Sequence, residues 1–150
     1  MRNLPRLASK FPGAVRCVIT SPPYFDVTNY AEDQWLRLWF LGGAPFLEPT
    51  SFSKDARHGR IDKYWGLLAD MWRSLGLVLA PKGQVVIRVG ATRIPPARLV
   101  SGIEGVAAVA NRKVKLISHE VSEIKKRQTD SFRPGSAGCK IEVDCHFEMR

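Results

Sequence analysis

From Cys139 to Met149, apolar and polar residues alternate without exception. Cys139, Ile141, Val143, Cys145, Phe147 and Met149 fall on one side, and Lys140, Glu142, Asp144, His146 and Glu148 on the other. A strand turns successive side chains to opposite faces, so a period of two describes a half-buried antiparallel strand. The pattern demands a sheet, and an apolar layer over one of its faces. Two more runs, Val15–Thr20 and Gln84–Val89, are short, apolar and β-branched, as buried strands are. The first stops at Ser21-Pro22-Pro23, because proline cannot donate to a strand ladder. Val114–Ile124 reads as a further strand.

Between the strands the period changes. A helix is expected from about Ala31 to Leu41, with Trp35, Leu38, Trp39 and Leu41 on one face and Gly42-Gly43 as its stop. A longer one runs from about Asp62 to Leu79, with Tyr64, Leu67, Leu68, Met71, Leu75, Val78 and Leu79 at 3.6-residue spacing. Pro81-Lys82-Gly83 breaks it. Pro95-Pro96 leads into a small-residue helix, about Ala97 to Ala110. Trp35, Trp39, Trp65 and Trp72 stand at helix-core spacing and are expected in the core. Residues 44–60 and 125–138 read as polar loops. Strands alternating with helices, then two strands joined by one loop, argue an α/β sheet ending in an antiparallel hairpin. The 150 residues suit one domain.

Lys and Arg total 23 against 14 Asp and Glu, a net charge of +9 that favours an anionic partner, nucleic acid first. Longer apolar runs are missing, so no membrane span of about 20 residues is expected. Cys17, Cys139 and Cys145 are odd in number and lack C-x-x-C spacing, which points to a reducing, cytoplasmic compartment without disulfides or structural zinc. The N-terminal segment is basic but broken by Pro5 and Pro12, unlike a secretory signal. His58, His119 and His146 are scattered, and no metal site is expected.

Thr20-Ser21-Pro22-Pro23-Tyr24 directly follows a strand. In open α/β sheets, ligands bind outside the carboxyl ends of strands. The tetrapeptide Ser-Pro-Pro-Tyr resembles the catalytic motif of the amino-group DNA methyltransferases, which methylate N4 of cytosine or N6 of adenine and carry Asp, Asn or Ser before Pro-Pro and an aromatic residue after it. The helix, Pro81-Lys82-Gly83 and strand succession resembles a unit of the same Rossmann-like domains. Taken alone, Ser-Pro-Pro-Tyr also reads as a proline-rich turn or an SH3-type ligand, and the strand before it and the helix after it are what set it apart.

The resemblance implies a role for each residue. An exocyclic base amine is a poor nucleophile, because its lone pair is delocalised into the ring. Ser21 Oγ and the Pro22 carbonyl would accept its two N–H bonds, Pro22-Pro23 would preset the backbone, and Tyr24 would stack on a flipped base. Thr20 and Ser21 would touch the methyl end of the cofactor, S-adenosylmethionine. Serine at the first position leans toward N4-cytosine, since N6-adenine enzymes more often carry Asp there.

The resemblance covers almost the whole chain, but only the family's second half. In a seven-stranded methyltransferase sheet ordered 3-2-1-4-5-7-6, the strand-like segments resemble strands four, five, six and seven. Their expected order is therefore 4-5-7-6, a partial Rossmann-like sheet with flanking helices. Strands one to three and the Gly-rich cofactor turn have no counterpart: Gly42-Gly43, Gly90 and Gly102–Gly105 do not follow the right strand. The expectation is a catalytic half without its cofactor half, whose fourth strand keeps an unpaired edge for a protein partner or a second copy. The alternatives are a silent nucleic-acid-binding remnant or accessory subunit, and a methyltransferase acting on RNA or protein.

DNA contacts are expected from Lys126, Arg127 and Arg133 in the loop before the last strand, and from Lys54, Arg57 and Arg60 before the long helix. Arg88 interrupts an apolar strand and, if buried, needs an acidic partner. Asp26 and Asn29 would cap the next helix or line the base pocket. The polar side of Cys139–Met149 implies a face that is open or reserved for a partner.

Overall fold

The computed structural model describes residues 9–25, 35–43, 60–91, 93–124 and 139–150. Its elements are β1 (Val15–Thr20), α1 (Trp35–Phe40), α2 (Ile61–Val78), β2 (Leu79–Gly90), α3 (Pro96–Ala107) with a 3-10 turn Ala108–Ala110, β3 (Val114–Glu123) and β4 (Ile141–Met149). The strands form one sheet ordered β1-β2-β4-β3. β1 and β2 are parallel, and β4 runs antiparallel to both β2 and β3. This is the expected 4-5-7-6 order of a Rossmann-like sheet. The carboxyl ends of β1, β2 and β3 therefore lie at one end of the sheet, beside the start of β4.

The alternation in β4 builds the core. Val143, Cys145, Phe147 and Met149 are wholly buried, as are Val85, Ile87 and Val89 of β2. Tyr64, Leu68, Met71, Trp72 and Leu75 of α2 and Leu99 and Ile103 of α3 cover them. Trp72 meets Phe147 edge-on at 5.1 Å. Burial excludes water from the thiol of Cys145 and pushes its pKa up to about 11, so it behaves as a small apolar side chain.

Several expectations change. β2 is longer than Gln84–Val89: Pro81-Lys82-Gly83 ends the helix but joins the strand, with Lys82 at a φ of 59° and a register shift opposite Val15 and Cys17. The small-residue helix stops at Ala107 and tightens into the 3-10 turn, and Asn111 in the left-handed region (φ 55°) turns the chain into β3. β3 ends at Glu123, one residue short of Ile124.

β1 is not a buried strand. It lies at the sheet edge, its sequence pattern unable to tell an edge from a centre, with Cys17 exposed and Ile19 80% exposed. The core role expected of Trp39 also fails. It is exposed together with Leu36, Leu38, Phe40 and Leu41, since α1 is not packed into the core formed by the described residues. Of the other tryptophans, Trp72 is buried and Trp65 is partly buried against the core. The side chain of Trp35 and residues 31–34, 44–59 and 125–138 lie outside the described residues. No helix among the described residues is long and apolar enough to cross a membrane.

Phe147→Ala removes the central ring of the core and opens a cavity against Trp72. Such truncations cost about 3–5 kcal/mol, and chemical denaturation is expected to show a loss of that size.

Candidate active site

The loop carrying Ser21 exists because of what proline lacks. Thr20 pairs with Ile87 in the β1–β2 ladder, and Phe25 rejoins β2 by a parallel bridge to Ala91. The Phe25 N–H donates to the Gly90 carbonyl at 3.2 Å. Between these points Pro22 and Pro23 have no N–H to give, so the ladder opens and closes again. Five residue steps on one strand then match four on the other, which pushes Ser21–Tyr24 out at the carboxyl end of β1. Pro22 is buried, Pro23 and Tyr24 are partly buried, and Ser21 is exposed.

Gly90 and Glu142 face each other across β2 and β4. A Cβ on Gly90 would stand 2.8 Å from the Tyr24 ring and 2.5 Å from Cys139 Sγ. Only glycine leaves room for that ring, and its placement brings the phenol to Glu142. The Tyr24 hydroxyl donates to Glu142 Oε1 at 2.6 Å, and the Ser21 side chain is near enough to the phenol to act on its ionisation. Burial first, and then the Glu142 carboxylate, push the Tyr24 pKa up to about 12.

Arg88 continues the network on the same side of the sheet, away from α2 and α3. It is exposed rather than buried, because it stands on the side that no described helix covers. Its guanidinium forks onto Asp144 through Nε at 2.8 Å and one terminal nitrogen at 2.6 Å, while the other terminal nitrogen lies 3.6 Å from Glu142. The hydrogen bonds from Arg88 hold the Asp144 carboxyl below its usual range. The polar side of β4 thus faces a charged network at one end. Further along, His146 pairs with Gln84 at 2.7 Å.

Tyr64 packs beneath the loop, its ring 5.4 Å from Phe25. Its buried hydroxyl has no hydrogen-bond partner among the described residues, and burial raises its pKa.

The structure brings Thr20, Ser21, Pro22, Pro23 and Tyr24 together at the sheet's carboxyl end. Arg60 lies outside this cluster, exposed just before α2, with Asp62 neutralising it at 3.3 Å. Lys54, Arg57, Lys126, Arg127, Arg133, Asp26, Asn29 and His58 lie outside the described residues. The stem of the last loop is described: the Ile124 N–H donates to the Lys140 carbonyl at 2.9 Å, at the same end as Ser21. Sequence reasoning missed Gly90, Cys139 and Glu142 as parts of the site. Glu142 was visible only as one of several polar residues on an alternating strand, 118 positions from Tyr24.

Glu142→Gln is expected to lower the Tyr24 pKa from about 12 while leaving it above the ordinary 10.0, because burial, the larger cause, remains. Absorbance titration against Tyr24→Phe isolates this phenol. The raised pKa also fixes a stability window. The contribution of the neutral phenol is complete below pH 10.0 and is lost as pH climbs through about 12. An unchanged titration in Glu142→Gln contradicts the network.

No protein-family model matches the chain, and no curated protein matches it in sequence. Among solved structures it is similar to TTHA0409 of Thermus thermophilus, a provisionally assigned DNA modification methylase. The complex of that protein with S-adenosyl-L-methionine aligns with a TM-score of 0.50 and 19% identity, over 99% of this chain and 53% of that one. Its selenomethionine derivative gives 0.49 and 16% over 98% and 50%, and a third structure gives 0.48 and 19% over 99% and 51%. The chain spans about half the length of these structures. The likeness to the complex is one of fold, a Rossmann-like α/β sheet with flanking helices.

Proposed function

We propose that the chain is the catalytic half of an S-adenosylmethionine-dependent DNA methyltransferase acting on an exocyclic base amine, N4 of cytosine. The observation that carries this reading is the placement of Ser21. It stands exposed at the carboxyl end of β1, between a paired Thr20 and a buried Pro22 and beside the Tyr24 phenol. In this reading the Ser21 hydroxyl turns its proton to Tyr24. That leaves Ser21 Oγ with lone pairs to accept. Hydrogen bonds in a chain polarise one another, so donation through Tyr24 to the Glu142 carboxylate makes Ser21 Oγ the stronger acceptor. One amine N–H donates to Ser21 Oγ and the other to the Pro22 carbonyl, and the nitrogen lone pair is released from the ring. The part of the Tyr24 ring not resting on Gly90 offers a face to the extruded base. The Ser21–Tyr24–Glu142 chain ends on a carboxylate that can take the proton the amine gives up. The fold likeness to a structure complexed with S-adenosyl-L-methionine supports the choice of cofactor. Serine rather than Asp at the first motif position supports the choice of cytosine.

The described residues do not fit the whole cofactor. The glycine at the carboxyl end of β2, Gly90, is filled by Tyr24 and Cys139 and cradles no ligand. The adenosine contacts therefore come from a partner, protein or further segment, that pairs with the flank of β1 no described strand occupies and covers Ile19. An unpaired strand edge beside exposed apolar side chains is a site for such pairing.

Two measurements test the reading. In the complex with its cofactor-binding partner, Ser21→Ala is expected to slow methyl transfer from labelled cofactor to DNA by roughly 10²-fold, the cost of losing one positioned hydrogen-bonding group. Methylation at the wild-type rate removes Ser21 from the active site, and modified adenine alone reverses the choice of base. The chain by itself is expected to bind the cofactor weakly or not at all in calorimetric titration, and in light scattering to self-associate or stay soluble only with a partner on that edge. Micromolar binding by a strict monomer overturns the half-enzyme reading.

A further inference from the structure

At the same end of the sheet as Ser21, but on the helical side, α2 and α3 leave a cleft of about 230 Å³. Its position follows from the topology. α2 leads directly into β2 and so runs back from the carboxyl end, and α3 starts there after Ala91. Both helices therefore present their first turns at this end. Arg93, Pro95, Arg98 and Ser101 form one wall, and Ile61 and Trp65 the other. No carboxylate is among the described residues that line it, and no ion pair engages Arg98 among the described residues.

Trp65 is held in place. Its indole lies so close over Gly102 that a Cβ there would overlap the ring, so the glycine admits α2 to α3 with the indole between them. The ring also packs at a tilt against Tyr64, centroids 5.3 Å apart, and Tyr64 in turn lies 5.4 Å from Phe25, the residue next to the Ser-Pro-Pro-Tyr motif. A continuous aromatic row thus connects the cleft to the loop of Ser21.

From this juxtaposition we propose that the cleft is a second nucleic-acid contact, in which Arg93 and Arg98 hold backbone phosphates and Trp65 takes a neighbouring base or sugar. A nucleic-acid strand offers anions and flat rings in alternation, which is what two guanidiniums beside an indole match. An acidic peptide would satisfy the arginines but leave the indole without a counterpart. The proposal rests on the nucleic-acid part of the reading above and is independent of methyl transfer.

The test is fluorescence anisotropy of a labelled single-stranded oligonucleotide, titrated with the full chain over a range of salt. Each phosphate contact on a single strand contributes about 0.7 to the slope of log affinity against log salt. Arg93→Gln with Arg98→Gln should reduce that slope by about 1.4 and weaken binding roughly 25-fold at 0.1 M salt. Arg93→Lys with Arg98→Lys should keep the slope, which separates lost charge from a damaged fold. Lys82→Gln with Lys113→Gln removes the same charge at the opposite end of the sheet and should change little. Equal losses in the two Gln pairs, no loss in the arginine pair, or full displacement of the oligonucleotide by poly-glutamate would each overturn the proposal. Failure of Ser21→Ala to affect methylation, with the arginine pair still defective in binding, would refute the catalytic reading and leave this one standing.

Discussion

Val85, Ile87 and Val89 of β2 and Val143, Cys145, Phe147 and Met149 of β4 point to the same side of two neighbouring strands, and all are wholly buried. Everything else in the structure is placed by that one-sided burial. Each apolar side chain withdrawn from water contributes on the order of 1.5–3 kcal/mol, so a one-residue slip that turned this set outward would lose most of the core. The register of β4 against β2 is therefore held by the apolar side, and the polar side follows without choice. Glu142 must stand opposite Gly90, and Asp144 opposite Arg88.

The candidate site is built on that dependent side. Gly90 supplies the space, Tyr24 fills it, and Glu142 receives the phenol. The Arg88–Asp144 pair next to it is exposed, and surface ion pairs of this kind contribute little to stability. Through its other terminal nitrogen Arg88 also places a positive charge 3.6 Å from Glu142. The proline pair contributes through absence, since an interrupted ladder leaves Ser21 exposed where a continuous one would have paired it.

The two edges of the sheet differ in what they leave uncovered. On β1, Ile19 and Cys17 meet solvent, and α1 exposes apolar side chains of its own, Leu36, Leu38, Trp39 and Phe40. Exposed apolar surface of this kind, together with a strand edge that no described strand pairs, marks an interaction surface. On β3 the exposed residues are mainly polar or charged, including Lys115, Ser118, His119 and Glu120.

Period and punctuation alone determined the strands, the two long helices and their order, because burial of one face imposes a period of two on a strand and 3.6 on a helix. They also located Ser21–Tyr24 at a strand's carboxyl end, since proline ends a ladder wherever it stands. They could not separate an edge strand from a central one: Val15–Thr20 reads as buried on its composition, and only the order of the described strands left it with one neighbour among them. The same limit misplaced Trp39, whose helical spacing implied a core that no described neighbour provides. Tertiary structure alone decided that Glu142 receives the Tyr24 hydroxyl and that Arg93, Arg98 and Trp65 share a cleft. These residues lie far apart in sequence or on different helices, and no local periodicity encodes a meeting that depends on how two elements pack against a third.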